Sequence, residues 1–144
     1  MKSLFLILLI VGIILIGTMA DGADWILLGE SNIGTSYYDR ASIKRFSGDV
    51  VRVSVKYAYS SEGAEKFREA FLKTNRSEMV GYTLYIYDIN CSSGSFRLTK
   101  AITYNSAESV IMGTELQFSE AEQSTPEHIT PNSMMEQLSK VSCR

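Results

Sequence analysis

The sequence predicts an α+β domain: an antiparallel sheet of about six strands, one amphipathic helix packed on it, and a short C-terminal helix tied to the sheet by a disulfide. Three observations support this fold class. Residues 49–59 alternate between apolar and polar side chains, residues 61–74 change to helical periodicity, and the chain's two cysteines, Cys91 and Cys143, follow an N-terminal export signal. The ~120 residues after the signal are enough for one modest core and too few for two.

The N-terminus has the three parts of an export signal in the usual order. Lys2 supplies a positive charge, an apolar run extends from Leu4 to Met19, and small residues around Ala20 offer a cleavage site. We therefore expect residues 1–20 to be a signal peptide, and the chain to be exported through the inner membrane to the periplasm, the cell surface or the medium. No membrane insertion is expected after cleavage. Retention as an anchor is the alternative, because the run approaches the ~20 residues that span a bilayer.

The domain, which we place at residues 24–144, opens with a predicted hairpin and a long strand. The apolar run 25–29 predicts the first strand, a turn signal follows at residues 32–34, and residues 37–39 predict the hairpin partner. Asp49 opens the clearest alternation of the chain. One predicted face carries Val51, Val53, Val55, Tyr57 and Tyr59, and the other carries Arg52, Ser54 and Lys56. This alternation is typical of a half-buried antiparallel strand.

An amphipathic helix is predicted over residues 61–74. Its apolar face would consist of Ala64, Phe67, Ala70 and Phe71, opposite a charged face. Residues 82–91 are apolar on both faces, which predicts a central strand that this helix covers on one side.

The last elements are two strands and a capped helix. Residues 92–95 predict a turn, residues 96–104 a hairpin partner, and residues 109–113 a last strand whose extension through Phe118 is open. The run Ser133-Met134-Met135-Glu136 matches a capping box, in which the serine and glutamate side chains satisfy free backbone N–H groups. A helix should therefore begin there, carry Met135 and Leu138 inward and end at Cys143.

The two cysteines lie at the ends of predicted elements, Cys91 after the central strand and Cys143 after the terminal helix. Two cysteines in an exported protein usually form one disulfide. We expect this bond to tie the terminal helix to the sheet; two free thiols or an intermolecular link are the alternatives. Closing a loop of ~50 residues is worth about 4 kcal/mol in the chain-entropy model.

No residue cluster in the sequence specifies a reaction. His128 is the only histidine and lies in a proline-flanked loop, so a Ser-His-Asp mechanism would depend on it alone. One histidine and two cysteines that are expected to form a disulfide cannot assemble a zinc site. The acidic residues lack the spacing of a calcium-binding loop. We expect a non-enzymatic protein with no catalytic residue, metal or cofactor; a small hydrolase using His128 is the alternative. The sequence pI of about 5.4 argues against nucleic acid as a partner.

A binding surface is the remaining expectation. Tyrosine offers a broad contact area at low rotamer cost, and basic side chains suit an anionic partner. The candidate surface consists of Tyr37, Tyr38, Arg40, Arg52 and Lys56. Ordinary cross-strand packing of the tyrosines and a solvated basic face are the alternatives.

Several segments, in this order and spacing, resemble the surface-adhesin protein E family of bacterial envelope proteins. They are residues 24–29, 37–43, 51–56, 87–91, 129–133 and 141–143. The resemblance covers nearly all of the predicted mature chain and implies an antiparallel sheet with a packed helix and an internal disulfide. The family's namesake is displayed on a bacterial surface and binds host proteins such as vitronectin, laminin and plasminogen.

The resemblance implies an exported envelope protein that binds a protein or cell-wall partner. A protein partner would be a host matrix protein or an envelope protein. A soluble periplasmic accessory or inhibitor-like module without adhesin activity is the alternative. The resemblance implies no particular ligand, binding face or oligomeric state.

Overall fold

Eight strands and two helices make up the computed structural model, which describes residues 22–72, 79–115 and 125–144. The strands are β1 (Trp25–Ser31), β2 (Gly34–Asp39), β3 (Lys44–Ser47), β4 (Val50–Tyr59), β5 (Val80–Asn90), β6 (Ser95–Asn105), β7 (Val110–Glu115) and β8 (Glu127–His128). The helices are α1 (Ser61–Phe71) and α2 (Met134–Ser142), and a 3-10 turn at Arg40–Ser42 follows β2. The predicted signal peptide and Phe118 lie outside the described residues.

All strand pairs are antiparallel, and the order across the sheet is β1-β2-β4-β5-β6-β7. β3 pairs with β4 and β8 pairs with β6, beside this path. The predicted α+β class is confirmed, and β5 lies in the interior as expected of the central strand. The sequence pattern indicated neither β3 nor β8, because the residues of both are exposed and an exposed strand shows no apolar alternation.

The register between β4 and β5 decides which side of the sheet holds the core. Val53 lies opposite Tyr87, and Val55 lies opposite Tyr85. Because side chains alternate along a strand, these residues share one face. The core on this face consists of Leu28, Tyr38, Val53, Val55, Ile89, Met135 and Leu138. The last two belong to α2, so this helix closes the core.

α2 is fixed at both ends. Ser133 Oγ accepts a hydrogen bond from the Glu136 N–H at 3.2 Å, and the Glu136 carboxylate accepts one from the Asn132 N–H at 2.9 Å, which lowers the pKa of Glu136. The predicted capping box is present, with the return bond displaced by one residue. At the other end Cys143 is bonded to Cys91, with 5.7 Å between their Cα atoms. The predicted disulfide is confirmed.

α1 packs near the other end of the same face. The ring of Phe67 lies 5.2 Å from the ring of Tyr59, which continues the alternation of the core residues of β4. The predicted apolar face was too wide, since Ala70 is exposed and Phe71 is 61% exposed. Phe71 contacts the ring of Phe67 within the helix instead, with 4.8 Å between the ring centres. The predicted residues 73 and 74 of this helix lie outside the described part.

Hydroxyl groups continue the buried face below α1. Tyr59 Oη lies 3.0 Å from Thr83 Oγ1, which lies 2.8 Å from Thr103 Oγ1. Burial raises the pKa of the Tyr59 hydroxyl. The chain therefore buries polar groups here only in a hydrogen-bonded row. Neither helix in the described ranges is long and apolar enough to cross a bilayer.

Truncation of Leu138 should destabilise the protein far more than truncation of Leu27. Leu138 is 0% exposed on the side of α2 that faces the sheet, whereas Leu27 is 54% exposed on the opposite side of the sheet. We expect Leu138→Ala to lower the free energy of unfolding by about 2–5 kcal/mol and Leu27→Ala by less than about 0.5 kcal/mol. Urea denaturation followed by circular dichroism measures both. Equal costs would contradict the role of α2 as the cover of the core.

Removal of the disulfide should lower the free energy of unfolding by about 4 kcal/mol, because the bonded residues are 52 positions apart in the chain. Urea denaturation measures the double variant Cys91→Ser/Cys143→Ser. The wild-type protein under reducing conditions should unfold at the same urea concentration as this variant. We also expect amide hydrogen exchange to increase more in α2 than in β4 and β5, since α2 loses its attachment. An unchanged denaturation midpoint would show that the bond does not constrain the fold.

Candidate binding surface

The second face of the sheet is covered by neither α1 nor α2. Lys56 lies opposite Tyr37 on β2 and Leu84 on β5, and Leu84 lies opposite Ile102 on β6. These residues alternate with the core residues and so lie on the other side. We call this surface the open face. It is defined by Trp25, Leu27, Tyr37, Lys44, Phe46, Arg52, Lys56, Tyr82, Leu84, Ile86, Arg97, Lys100, Ile102, Tyr104 and Val110.

Large apolar side chains are exposed across the whole width of the open face. Leu27 on β1 is 54% exposed, Phe46 on β3 is 59% exposed, and Val110 on β7 is 59% exposed. Between them lies a shallow hollow of about 290 Å³, whose wall includes Trp25 and Ile86. Contiguous exposed apolar surface rimmed by polar residues is typical of interaction sites.

Lys56 lies at the centre of an aromatic cluster on the open face. Its ammonium is 5.1 Å from the ring centre of Trp25, 5.7 Å from that of Tyr37 and 5.6 Å from that of Tyr82. All three distances are within the range of a cation–π interaction. Tyr82 in turn stacks on Tyr104 with 4.8 Å between ring centres. The three rings hold the ammonium of Lys56 in a defined place, and the stacking of Tyr82 on Tyr104 fixes the orientation of both tyrosine rings.

A buried ion pair organises the part of the open face next to β3. Arg52 donates to Asp88 through Nε at 2.7 Å and through a terminal nitrogen at 3.0 Å, and these bonds raise the pKa of Arg52. Arg97 lies 3.6 Å from the same carboxylate, whose side chain is 2% exposed. The guanidinium of Arg52 also lies over the ring of Phe46, 4.2 Å from its centre. Asp88 therefore fixes both the orientation of Arg52 and the place of Phe46.

The structure brings together three of the five residues proposed from the sequence. Tyr37, Arg52 and Lys56 lie on the open face. Tyr38 does not, because consecutive strand residues face opposite sides; it is 9% exposed and belongs to the core. Arg40 lies in the 3-10 turn at the margin, where it forms an ion pair with Asp24 at 2.7 Å.

Comparison with known protein families adds an independent observation. The family model described as Surface-adhesin protein E matches residues 25–144. The chain belongs to the surface-adhesin protein E family. The family indicates a surface adhesin, and hence an exported protein that binds a partner. A search of curated proteins and a search of solved structures each found no match to the chain.

For this member of the protein E family, sequence reasoning missed Trp25, Phe46 and Asp88. Phe46 lies in the unrecognised strand β3. Asp88 is a charged residue within the otherwise apolar run 82–91, and that was a usable signal, since a carboxylate in a central strand requires a cation nearby. Its partner Arg52 could be identified only once the register of β4 against β5 was known.

Residues with catalytic potential show no such convergence in this adhesin-family chain. His128 is exposed in β8, and within the described ranges its side chain has no hydrogen bond to a hydroxyl group. Ser95, its register partner, has its hydroxyl 2.7 Å from that of Ser93 instead. The described residues contain no group of three His, Cys, Asp or Glu side chains that could hold a metal ion.

Arg52→Ala should lower the free energy of unfolding by about 3 kcal/mol, because the buried Asp88 would keep only the more distant Arg97. Arg52→Ala/Asp88→Ala should recover part of that loss, since no buried charge is then unpaired. The matched control is Arg40→Ala, whose ion pair with Asp24 is exposed on both sides and should be worth less than about 1 kcal/mol. Urea denaturation compares the three variants. Equal losses for Arg52→Ala and Arg40→Ala would refute the structural role of the buried pair.

Proposed function

We propose that this chain is an exported, non-enzymatic binding protein that attaches to a protein partner through its open face. The observation that carries the proposal is the sheet side opposite α1 and α2, where three strands each expose a large apolar side chain. The chain also belongs to a surface-adhesin family. An adhesin needs a preformed contact surface, and the open face offers one.

The composition of the open face suits a protein partner. Interface cores are enriched in tyrosine, tryptophan, phenylalanine and arginine, and the strongest contacts come from such residues. Trp25, Tyr37 and Phe46 meet this description, and Arg52 is already held in a planar double hydrogen bond. Because they lie on strands rather than loops, little conformational entropy is lost when a partner binds.

The proposed site of action is the outer surface, after cleavage following Ala20. Protease treatment of intact cells tests it: an adhesin is degraded, whereas a periplasmic protein survives until the outer membrane is opened. A soluble, protected periplasmic pool would favour the accessory or inhibitor-like alternative over adhesion.

Phe46→Ala should weaken partner binding by about tenfold, because it removes an exposed aromatic contact and the support of Arg52. The matched control is Phe71→Ala, which truncates a phenylalanine of nearly equal exposure, 61% against 59%, on α1. The full chain, exported by its expression host, is titrated against immobilised vitronectin, laminin and plasminogen, with insoluble peptidoglycan as a separate arm. We expect Phe71→Ala to change affinity by less than about twofold.

Two results would contradict the proposal. Equal losses for Phe46→Ala and Phe71→Ala would exclude the open face as the contact surface. Binding to peptidoglycan alone would replace the protein partner by a cell-wall partner. Circular dichroism of both variants verifies that they are folded.

A further inference from the structure

We propose that the partner segment that docks on the open face is acidic, an extended stretch of protein with carboxylates that lies along β4. This inference rests on the proposed function and adds the chemistry of the partner. It follows from the charges of the open face, from the spacing of its cations, and from the apolar rings beside them.

Charge is distributed unevenly over the two sides of the sheet. The chain has a formal net charge of −2, yet the register places five cations on the open face, at Lys44, Arg52, Lys56, Arg97 and Lys100. Three exposed carboxylates lie on α1, at Glu62, Glu65 and Glu69, and those of Glu30 and Glu108 lie at the margins of the open face, away from Lys44. A basic surface on an acidic protein favours an acidic partner, because complementary potentials speed encounter and fix orientation.

The carboxylates near this surface leave Lys44 and Lys56 available. Asp88 is buried and engaged by two arginines. Asp39, at the end of β2, accepts hydrogen bonds from the backbone N–H groups of Asp24 and Ala41 at 2.8 and 3.0 Å. Glu30 lies opposite Thr35, which lies opposite Ala58, so Glu30 is two strands across and two residues along from Lys56, with roughly 12 Å between their Cα atoms. In the described part of the chain no salt bridge involves Lys44 or Lys56.

The spacing of these two lysines fits an extended chain. Lys44 of β3 lies opposite Arg52 of β4, and Arg52 is four residues before Lys56 in the same strand. The Cα atoms of the two lysines are therefore roughly 14 Å apart. In an extended peptide, side chains at positions i and i+4 lie on one side and are about 13 Å apart. An acidic peptide with carboxylates at that interval can therefore reach both lysines from one side.

Aromatic rings complete the site. Phe46 is two residues after Lys44 in β3, and Trp25, Tyr37 and Tyr82 surround the ammonium of Lys56. Apolar side chains around an ion pair exclude water and lower the local dielectric constant, which strengthens the attraction. The carboxylates supply charge, and the apolar atoms of the partner supply contact area.

The test uses a fluorescein-labelled synthetic peptide in which Glu alternates with Thr, and a second peptide in which Gln replaces every Glu. Fluorescence anisotropy measures their binding to the full exported chain. We expect binding of the Glu peptide that weakens with added salt, and at least about tenfold weaker binding of the Gln peptide. Lys44→Ala/Lys56→Ala should reduce the affinity for the Glu peptide by about tenfold.

The matched control is Lys66→Ala/Lys140→Ala, which removes the same charge from α1 and α2, where both lysines are paired with glutamates. It should change the affinity by less than about twofold. Equal effects of the two double variants would overturn the inference, because the attraction would then be one of net charge alone.

Two further results would also overturn the inference. The first is equal binding of the Glu and Gln peptides, and the second is binding of heparin without binding of the Glu peptide. Neither result affects the proposed function, which depends on the comparison of Phe46→Ala with Phe71→Ala and on proteins rather than peptides. If that comparison fails while the lysine pair still binds the Glu peptide, the acidic site exists without an adhesive role.

Discussion

The attachment of α2 to one side of the sheet is the constraint on which the rest of the structure depends. Met135 and Leu138 fill the core from above, and the Cys91–Cys143 bond holds the end of the helix against the end of β5. That strand end is itself fixed, since the Cys91 N–H donates to the Asp49 carbonyl at 2.9 Å. The capping box fixes the residue at which α2 begins, and just before it the Ile129 N–H donates to the Gly94 carbonyl at 2.9 Å, which ties the approach to the helix to the turn between β5 and β6.

A core on one side of the sheet has a direct consequence for the other side. Strand residues alternate, so every residue committed to the core has neighbours that face away from it. Core packing does not restrict those neighbours, and here they are aromatic, aliphatic and cationic. Instead they restrict each other, through the rings around Lys56 and the double hydrogen bond between Arg52 and Asp88. The open face is therefore ordered without a helix to cover it.

The sequence predicted the structural elements that depend on local patterns. Alternation in β4, the Ser133 cap and the positions of both cysteines are features of a few neighbouring residues, and they led to the right elements and the right disulfide. The sequence did not reveal what depends on distant pairing. β3 has no pattern because it buries nothing, and Tyr38 was placed on one surface with Tyr37 although consecutive strand residues face opposite sides.

Asp88 is the residue where fold and binding surface meet. Most of the open face can change without loss of the core, because residues such as Leu27 and Phe46 contribute little to it. Asp88 is different, since its carboxylate is buried in the sheet while its partner Arg52 is 39% exposed on the open face. A buried charge is tolerated only with its cation in place, so the fold itself requires a positive group at this position. The positive charge of Arg52 is therefore a condition of stability as well as a feature of the binding surface.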